Sequence, residues 1–305
     1  MIAKFIDCPQ FLADLYTDDL RDIVPDLVLN IGSPGREQVR TMLEDCTVAV
    51  NDHSELDEAT LAACPVLKAI VFMGTGASSY IDLAAAERLG IKVRTISGYG
   101  DRSVAEHAVA LMFAAGRKIA VMDRAIRDGT WETLDSIEFA GRTLGVVGTG
   151  GIGKQMVRLG DALGMTVIAW SRSGVPADLP CVSTELDDLM ARADVVSLHL
   201  ALTDDTRGLI DSRRISLMQP GGILINTARG ALVDEKALVE ALRSGQLGHA
   251  GLDVFADEPL KSAHALTGLP NVTLTAHAGF MTREASSRLL RMALDLTHAE
   301  LAAGA

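Results

Sequence analysis

The stretch Leu144-Gly145-Val146-Val147-Gly148-Thr149-Gly150-Gly151-Ile152-Gly153 decides the fold. A short apolar run leads into a glycine-rich turn, and beyond the turn Met156, Val157, Leu159 and Leu163 fall at helical spacing. A bare GxGxxG string is weak, because glycine-rich turns are common. With a strand before it and a helix after it, each glycine has work to do. Gly148 makes the turn, Gly150 lets backbone approach a pyrophosphate, and Gly153 lets helix pack on strand. The amides and dipole of the helix start then hold the anion. The stretch is expected to be the first turn of a dinucleotide-binding sheet.

Downstream, apolar runs at 166–170, 195–199, 223–226, 250–254 and 271–274 alternate with helical windows, so that with 144–147 six strands are expected. Upstream the same rhythm occurs once already, with strands expected at 2–6, 27–30, 48–51, 69–73 and 92–95. Between the two series Val104, Ala108, Leu111, Met112, Ala115, Ile119, Met122 and Ile126 keep helical period. From 101 to about 128 one long connecting helix is expected, well above average helix length. A last helical stretch, from 283 to about 301, lies beyond the second series and is assigned back to the first domain. The expected fold class is α/β with two doubly wound parallel-sheet domains. A Rossmann dinucleotide-binding domain (98–280) is inserted into a flavodoxin-like substrate domain (1–97 and 281–305).

Composition bounds the function. A chain of 305 residues exceeds one ordinary core. Its formal charge of −12 repels nucleic-acid phosphates and anionic lipid, which leaves a small molecule as the expected partner, with no nucleic acid and no membrane. Cys8, Cys46, Cys64 and Cys181 show no CxxC and no metal-ligand spacing. Reduced, packed thiols, no metal and a cytoplasmic location are expected. The first residues lack the pattern of a signal peptide, and no apolar stretch approaches a membrane span.

The strand expected at 166–170 should end in the group that reads the adenosine ribose, where an acidic residue accepts from the 2′-hydroxyl of NAD. Here stand Ser171, Arg172 and Ser173, with no carboxylate. A guanidinium and two hydroxyls suit a 2′-phosphate, so NADP is favoured over NAD. An ordinary solvated arginine is the bland alternative. His199, Arg229, Asp253 and His277 each end or closely follow an expected strand, where ligands of open α/β sheets bind. Taken singly, each is more often a packing histidine, a surface charge or a turn residue; convergence on one sheet edge raises the set.

At this point the chain resembles the D-isomer-specific 2-hydroxyacid dehydrogenases over nearly its full length, glyoxylate and hydroxypyruvate reductases among them. The motifs occur in order: the 144–153 fingerprint; Ser103-Val104-Ala105-Glu106-His107; Ser197 to Thr203 with Thr206-Arg207-Gly208-Leu209-Ile210; Asn226-Thr227-Ala228-Arg229-Gly230; Gly251 to Phe255 with Glu258-Pro259; and Thr275-Ala276-His277-Ala278-Gly279. The resemblance implies a hydride transfer between NAD(P)H and a small 2-keto or D-2-hydroxy acid. Arg229 would bind the substrate carboxylate and polarise the carbonyl, His277 would give the proton, and Glu258 would orient His277 and favour its charged form. Asp253 would face the nicotinamide amide. Gly148, Gly150, Gly151, Ile152, Gly153, His199, Leu200, Thr206, Thr227, Ala228, Arg229, His277 and Gly279 would line the cofactor. Thr75 and Gly76, in the first domain, would cradle the substrate carboxylate, with closure of a cleft on turnover. A homodimer through the helix near 104–122 is implied as well.

The chain departs from the pattern twice. Ala276 stands where the family usually has proline before its histidine, and Thr75 with Ala77-Ser78-Ser79-Tyr80 alters the substrate loop. Three competing readings remain. A nucleotide-sensing corepressor is disfavoured by the acidic balance, and a formate or phosphite dehydrogenase by the short N-terminal part. A phosphoglycerate dehydrogenase with a C-terminal regulatory domain has no room for one after Ala305.

Overall fold

A computed structural model describes residues 1–304. The chain divides into two compact units, Met1–Gly100 with the segment from Thr282 onward, and Asp101–Met281.

In unit 1 five parallel strands, β1 (Ala3–Cys8), β2 (Val28–Ile31), β3 (Val48–Asn51), β4 (Ala69–Phe72) and β5 (Lys92–Thr95), lie in the order β2-β1-β3-β4-β5. Every residue of β3 and β4 is buried, as apolar runs covered on both faces should be, while edge strands β2 and β5 are largely exposed. Side chains alternate between two cores. Phe5, Val50 and Val71 pack with Leu289, Leu290 and Leu294 of the C-terminal helix Arg283–Gly304; Ile6, Ala49 and Ile70 pack with Leu43 and Leu61 on the other face. Short helices α1 (Gln10–Ala13), α2 (Asp18–Arg21), α3 (Arg36–Leu43), α4 (Glu58–Ala62) and α5 (Leu83–Arg88) connect the strands. The Asp57 and Asp82 carboxylates accept the first-turn amides of Thr60 and Ala85, at 2.9 Å each, and so start α4 and α5.

Unit 2 holds seven parallel strands: β6 (Thr143–Val147), β7 (Thr166–Trp170), β8 (Val182–Ser183), β9 (Val195–Leu198), β10 (Gly222–Asn226), β11 (Leu247–Leu252) and β12 (Val272–Leu274). Their order is β12-β11-β10-β9-β6-β7-β8, with the reversal between β6 and β9. The six expected strands miss β8, a two-residue edge strand whose exposed side chains leave no hydrophobic pattern. The helices are α6 (Asp101–Gly116), α7 (Ile119–Arg127), α8 (Gly151–Ala162), α9 (Leu186–Arg192), α10 (Ser212–Leu217) and α11 (Glu235–Ser244).

The single helix expected from 101 to 128 is two helices, and the first belongs to unit 2 rather than linking the units. Lys118 takes φ +53°, and the Gly116 carbonyl accepts the Ile137 amide at 3.1 Å instead of the next helical turn. The hydrophobic period runs through the break because Ile119, Met122 and Ile126 remain apolar, but none of them is buried, whereas Ala108, Leu111, Met112 and Ala115 of α6 sit in the core beside Val146 and Ile225.

Candidate active site

The glycine-rich turn brings three backbones together. Gly148 has φ +98°, and a Cβ on it would stand 2.6 Å from the His199 carbonyl oxygen; one on Gly153 would stand 1.8 Å from the Gly148 oxygen. No other residue fits this approach of β6, β9 and the start of α8. Helix α8 begins after Gly150 with neither a side-chain cap nor an acidic residue in its first turn. Its leading amides thus have no capping side chain from α8 itself, while the Asp101 carboxylate of α6 stands beside Gly151, where a Cβ would lie 1.7 Å from its Oδ2.

Beside that turn two buried polar atoms have no partner. His199 engages Ser197 Oγ through Nε2 at 2.9 Å, while its Nδ1 is orphaned, as is Thr227 Oγ1 at the end of β10. An unmet buried polar group costs about 1–3 kcal/mol, so a pair of them at the carboxyl edge is a place where a polar ligand is owed bonds. Burial pushes the His199 imidazole down to about 4, which leaves it neutral and able to donate or accept. Turn, helix start and orphaned atoms together fit a dinucleotide. Leu200 follows, half-buried. Thr206 is buried but its hydroxyl is spent on its own loop, donating to the Ala201 carbonyl at 2.8 Å and accepting the Thr203 amide at 2.8 Å. It shapes the loop, and its expected place in the cofactor set rests on that.

At the end of β7, Ser171 and Ser173 are 3.5 Å apart through their hydroxyls, and the exposed Arg172 guanidinium lies 3.3 Å from the Asp205 carboxylate. Sequence reading saw no carboxylate here because Asp205 comes from the loop after β9, 33 residues away. Such an exposed pair is worth roughly 0–1 kcal/mol and leaves the arginine free to turn.

Three adjacent strand ends carry the remaining groups. After β10, Asn226 frames the next turn, its Oδ1 accepting the Ala228 amide and its Nδ2 donating to the Arg229 carbonyl, both at 3.0 Å. Arg229 in turn donates to the Ala228 carbonyl at 2.6 Å. Gly230 is needed for close approach: a Cβ there would sit 2.0 Å from the Phe255 carbonyl carbon, so this turn lies flat on the segment after β11. That segment supplies Glu258. Its Oε1 accepts the Phe255 amide at 2.9 Å, and its Oε2 lies 2.7 Å from Nδ1 of His277, which follows β12. A carboxylate can only accept, so Nδ1 carries the proton and Nε2 is left to exchange one. His277 has φ +51°, rare for a residue with a side chain.

Asp253 is more engaged than expected. Oδ1 accepts Thr275 Oγ1 at 2.5 Å and the Ala278 amide at 2.9 Å, Oδ2 accepts the Gly279 amide at 2.8 Å, and its own carbonyl accepts the His277 amide at 2.8 Å. Burial works to raise this carboxyl, but the bonds from His107, Thr275 and the two amides outweigh it and hold the group below the usual carboxylate range. Asp253 thus braces the His277 loop, beyond the contact with the nicotinamide that its resemblance implies.

In unit 1 the loop after β4 carries Thr75 and Gly76, and the Gly76 carbonyl accepts the Ser79 amide at 3.0 Å. The same carboxyl edge holds a group the sequence reading missed. Asp7 accepts the amides of Asp52, His53 and Ser54 at 2.8, 2.8 and 2.7 Å. Asp52 then lies 2.7 Å from His53 Nδ1, and the His53 ring meets Tyr80 edge-on at 5.0 Å. The hydrogen bond to Asp52 raises the His53 pKa, and burial raises that of Asp52. A polar pair directly after the strand at 48–51 was the available signal, the same one that singled out Arg229 and His277. Among the described residues no group of three or more His, Cys, Asp or Glu side chains could hold a metal, no helix is long and apolar enough to cross a membrane, and all four cysteines are free.

A doubly wound sheet with this turn, and with arginine, glutamate and histidine on neighbouring strand ends, defines a dinucleotide-dependent oxidoreductase of the histidine–carboxylate type. Residues 109–279 match the model of the D-isomer specific 2-hydroxyacid dehydrogenase NAD binding domain. The chain is 39% identical over 252 residues to the glyoxylate reductase of Aeropyrum pernix, covering 79% of this chain and 75% of that one. It is 38% identical over 264 residues to the D-3-phosphoglycerate dehydrogenase of Mycobacterium bovis, covering 85% of this chain but only 50% of that longer protein. The solved TT0316 protein of Thermus thermophilus superposes with a TM-score of 0.89 at 33% identity, covering 99% of this chain and 97% of that one. The chain belongs to the D-isomer-specific 2-hydroxyacid dehydrogenase family, and it is an NAD(P)-dependent oxidoreductase acting between 2-keto acids and 2-hydroxy acids.

Proposed function

We propose that the protein works as an NADPH-preferring reductase of a small 2-keto acid of the glyoxylate or hydroxypyruvate type. The observation that carries this reading is the Glu258–His277 pair at 2.7 Å, which leaves Nε2 of a carboxylate-supported imidazole as the proton donor. The Gly148–Gly153 turn would hold the pyrophosphate of a dinucleotide whose reduced nicotinamide would supply the hydride. Glu258, held at both oxygens, keeps the imidazole in the Nδ1–H form and fixes its orientation for transfer from Nε2. Arg229 offers a planar fork for the substrate carboxylate and a positive charge for the developing alkoxide. Thr75 and Gly76 are proposed to add backbone donors for that carboxylate. Gly148, Gly150, Gly151, Ile152, Gly153, His199, Leu200, Thr227, Ala228 and Gly279 form the proposed cofactor set, and Arg172 with Ser171 and Ser173 the proposed 2′-phosphate contacts.

The acidic balance and the reduced thiols support a cytoplasmic protein. A homodimer is retained in this reading, with its surface confined to the end of the expected 104–122 stretch and extended past it. The α6 side chains expected to form it are consumed by the core of unit 2, while Ile119, Ile126 and the strongly exposed Trp131 line the outside of α7 and the segment after it. Steady-state assays of glyoxylate, hydroxypyruvate, pyruvate and longer keto acids with NADH and NADPH test the whole. Turnover of the two smallest acids, faster with NADPH, is expected. No turnover of any keto acid would favour a nucleotide-sensing role instead.

A further inference from the structure

The motif Ser103 to His107 at the start of α6 has no role in the chemistry described so far. His107 Nε2 lies 2.9 Å from Thr275 Oγ1 and 3.4 Å from Asp253 Oδ1, and its Cδ2 would stand 3.5 Å from a Cβ on Gly279. The direction of these bonds follows from counting hydrogens. Thr275 has one hydroxyl proton, and at 2.5 Å it goes to the Asp253 carboxylate, which has none to return. Thr275 therefore accepts from His107, and the imidazole carries its proton on Nε2. The chain of donors runs from His107 to Thr275 to Asp253.

Asp253 is the node on which the proton-donor loop hangs. It binds the amides of Ala278 and Gly279 through its side chain and that of His277 through its carbonyl. Those three amides surround a residue at φ +51°, a conformation costing about 1–2 kcal/mol that persists only when its surroundings over-determine it. Without His107, Oδ1 loses its 3.4 Å contact with the imidazole and the closer donor, Thr275 Oγ1, loses its orientation, so the carboxylate can rotate away from the Ala278 amide. His107 stands on α6, which packs along α8, the helix opened by the glycine-rich turn, and along β11 and β12. One helix of unit 2 thus touches both the dinucleotide turn's helix and the loop of the proton donor.

We propose that His107 is a positioning residue that, through Thr275 and Asp253, holds the His277 loop in its strained conformation and in register with α6. It touches no reacting atom and gives no proton. The proposal rests on His277 being the proton donor and goes beyond that reading by naming what aims it.

The test compares His107→Phe, His107→Gln, Thr275→Val, Thr275→Ser and the double variant His107→Phe/Thr275→Val in the full-length protein, with His277→Ala alongside. Each is read by kcat, KM, the pH profile of reduction, and NADPH affinity from nucleotide fluorescence. Glutamine can present an amide N–H where the imidazole Nε2–H stood, and serine keeps the relay hydroxyl. Expected are a loss of about ten-fold or more in kcat for His107→Phe and Thr275→Val, NADPH affinity within about three-fold of wild type, a changed pH profile of reduction, and near-complete recovery with glutamine or serine. The double variant should be no worse than either single one, because both break one chain. Unchanged kcat and pH profile in His107→Phe and Thr275→Val overturn the proposal, as does a glutamine variant no better than phenylalanine. Should His107→Phe not fold, the threonine pair decides alone. If His277→Ala also turns over normally, the proton-donor reading itself has failed; if it is inactive while His107→Phe is not, only the present proposal has.

Discussion

The two units share one architecture and differ in what lies at the carboxyl edge of the sheet. Both are parallel sheets with a core on each face. In unit 1 the edge is organised by carboxylates: Asp7 is satisfied by three amides, and Asp52 orients a His53 whose side chain is 62% exposed. In unit 2 the carboxylates Asp253 and Glu258 hold the His277 loop and its imidazole, and His199 and Thr227 each keep an unpaired buried atom; among the described residues unit 1 has one such atom, Asn51 Oδ1. The fold does not dictate the chemistry of its edge. Loops after equivalent strand ends do, and the edge that leaves bonds unmade beside a helix start is the one built to receive a polar ligand.

The sharpest way to break this contrast is at the two edge histidines. His277→Ala is expected to lower kcat by about 10²-fold or more with NADPH binding nearly intact, whereas His53→Ala, at unit 1's edge, should leave kcat within about three-fold. Equal losses in kcat, measured under saturating cofactor, would erase the division of labour. Next in size is Arg229→Lys, which keeps the charge but not the planar fork and should cost about 10²-fold in kcat/KM. Normal reduction by that variant would make Arg229 a structural charge.

Cofactor choice gives a smaller effect. Arg172→Ala removes one charge-assisted bond to a 2′-phosphate, worth about 1.5–3 kcal/mol, so kcat/KM should fall roughly ten- to a hundred-fold with NADPH and stay level with NADH. Asp205→Asn should act oppositely and by only a few-fold, since it removes a carboxylate 3.3 Å from that guanidinium. A wild type that prefers NADH, with both variants indifferent, would leave Arg172 as a solvated surface charge.

The smallest effect concerns stability. Burial pushes His199 and His249, both in unit 2, down to about 4. A histidine whose folded pKa is depressed contributes stability that is full above its unfolded value, near 6.5, and declines as pH falls toward 4. His53 in unit 1 is raised, so its contribution is full below pH 6.5 and is lost at higher pH, through its folded value. Unit 2 should therefore weaken by a few kcal/mol between pH 6.5 and 4 while unit 1 does not. Hydrogen exchange at pH 7 and pH 5 checks this: amides of β9–β11 should lose protection first, and simultaneous loss in β1, β3 and β4 would refute it.

Much of this molecule was legible without coordinates. The alternation of apolar runs with helical windows located eleven of the strands to within a few residues, because buried parallel strands must be continuously apolar and their crossovers helical. The 144–153 stretch specified a dinucleotide turn, since close backbone approach and a positive φ leave few residues but glycine. Arg229 and His277 stood out by position after strands and by resemblance, and Glu258 by resemblance alone.

What only the tertiary structure decided depends on contacts between residues far apart in the chain. Periodicity could not show the break at Lys118, because it results from Ile137 taking the Gly116 carbonyl, and it could not show β8, which has two exposed residues and no pattern. Asp205 beside Arg172, Asp52 held by an anchored Asp7 loop, and His107 bonded to Thr275 join positions that no local pattern relates. Local sequence determines which elements form, since propensity and burial act within a few residues. Which polar atoms meet, and which are left unmet, is set by packing those elements together.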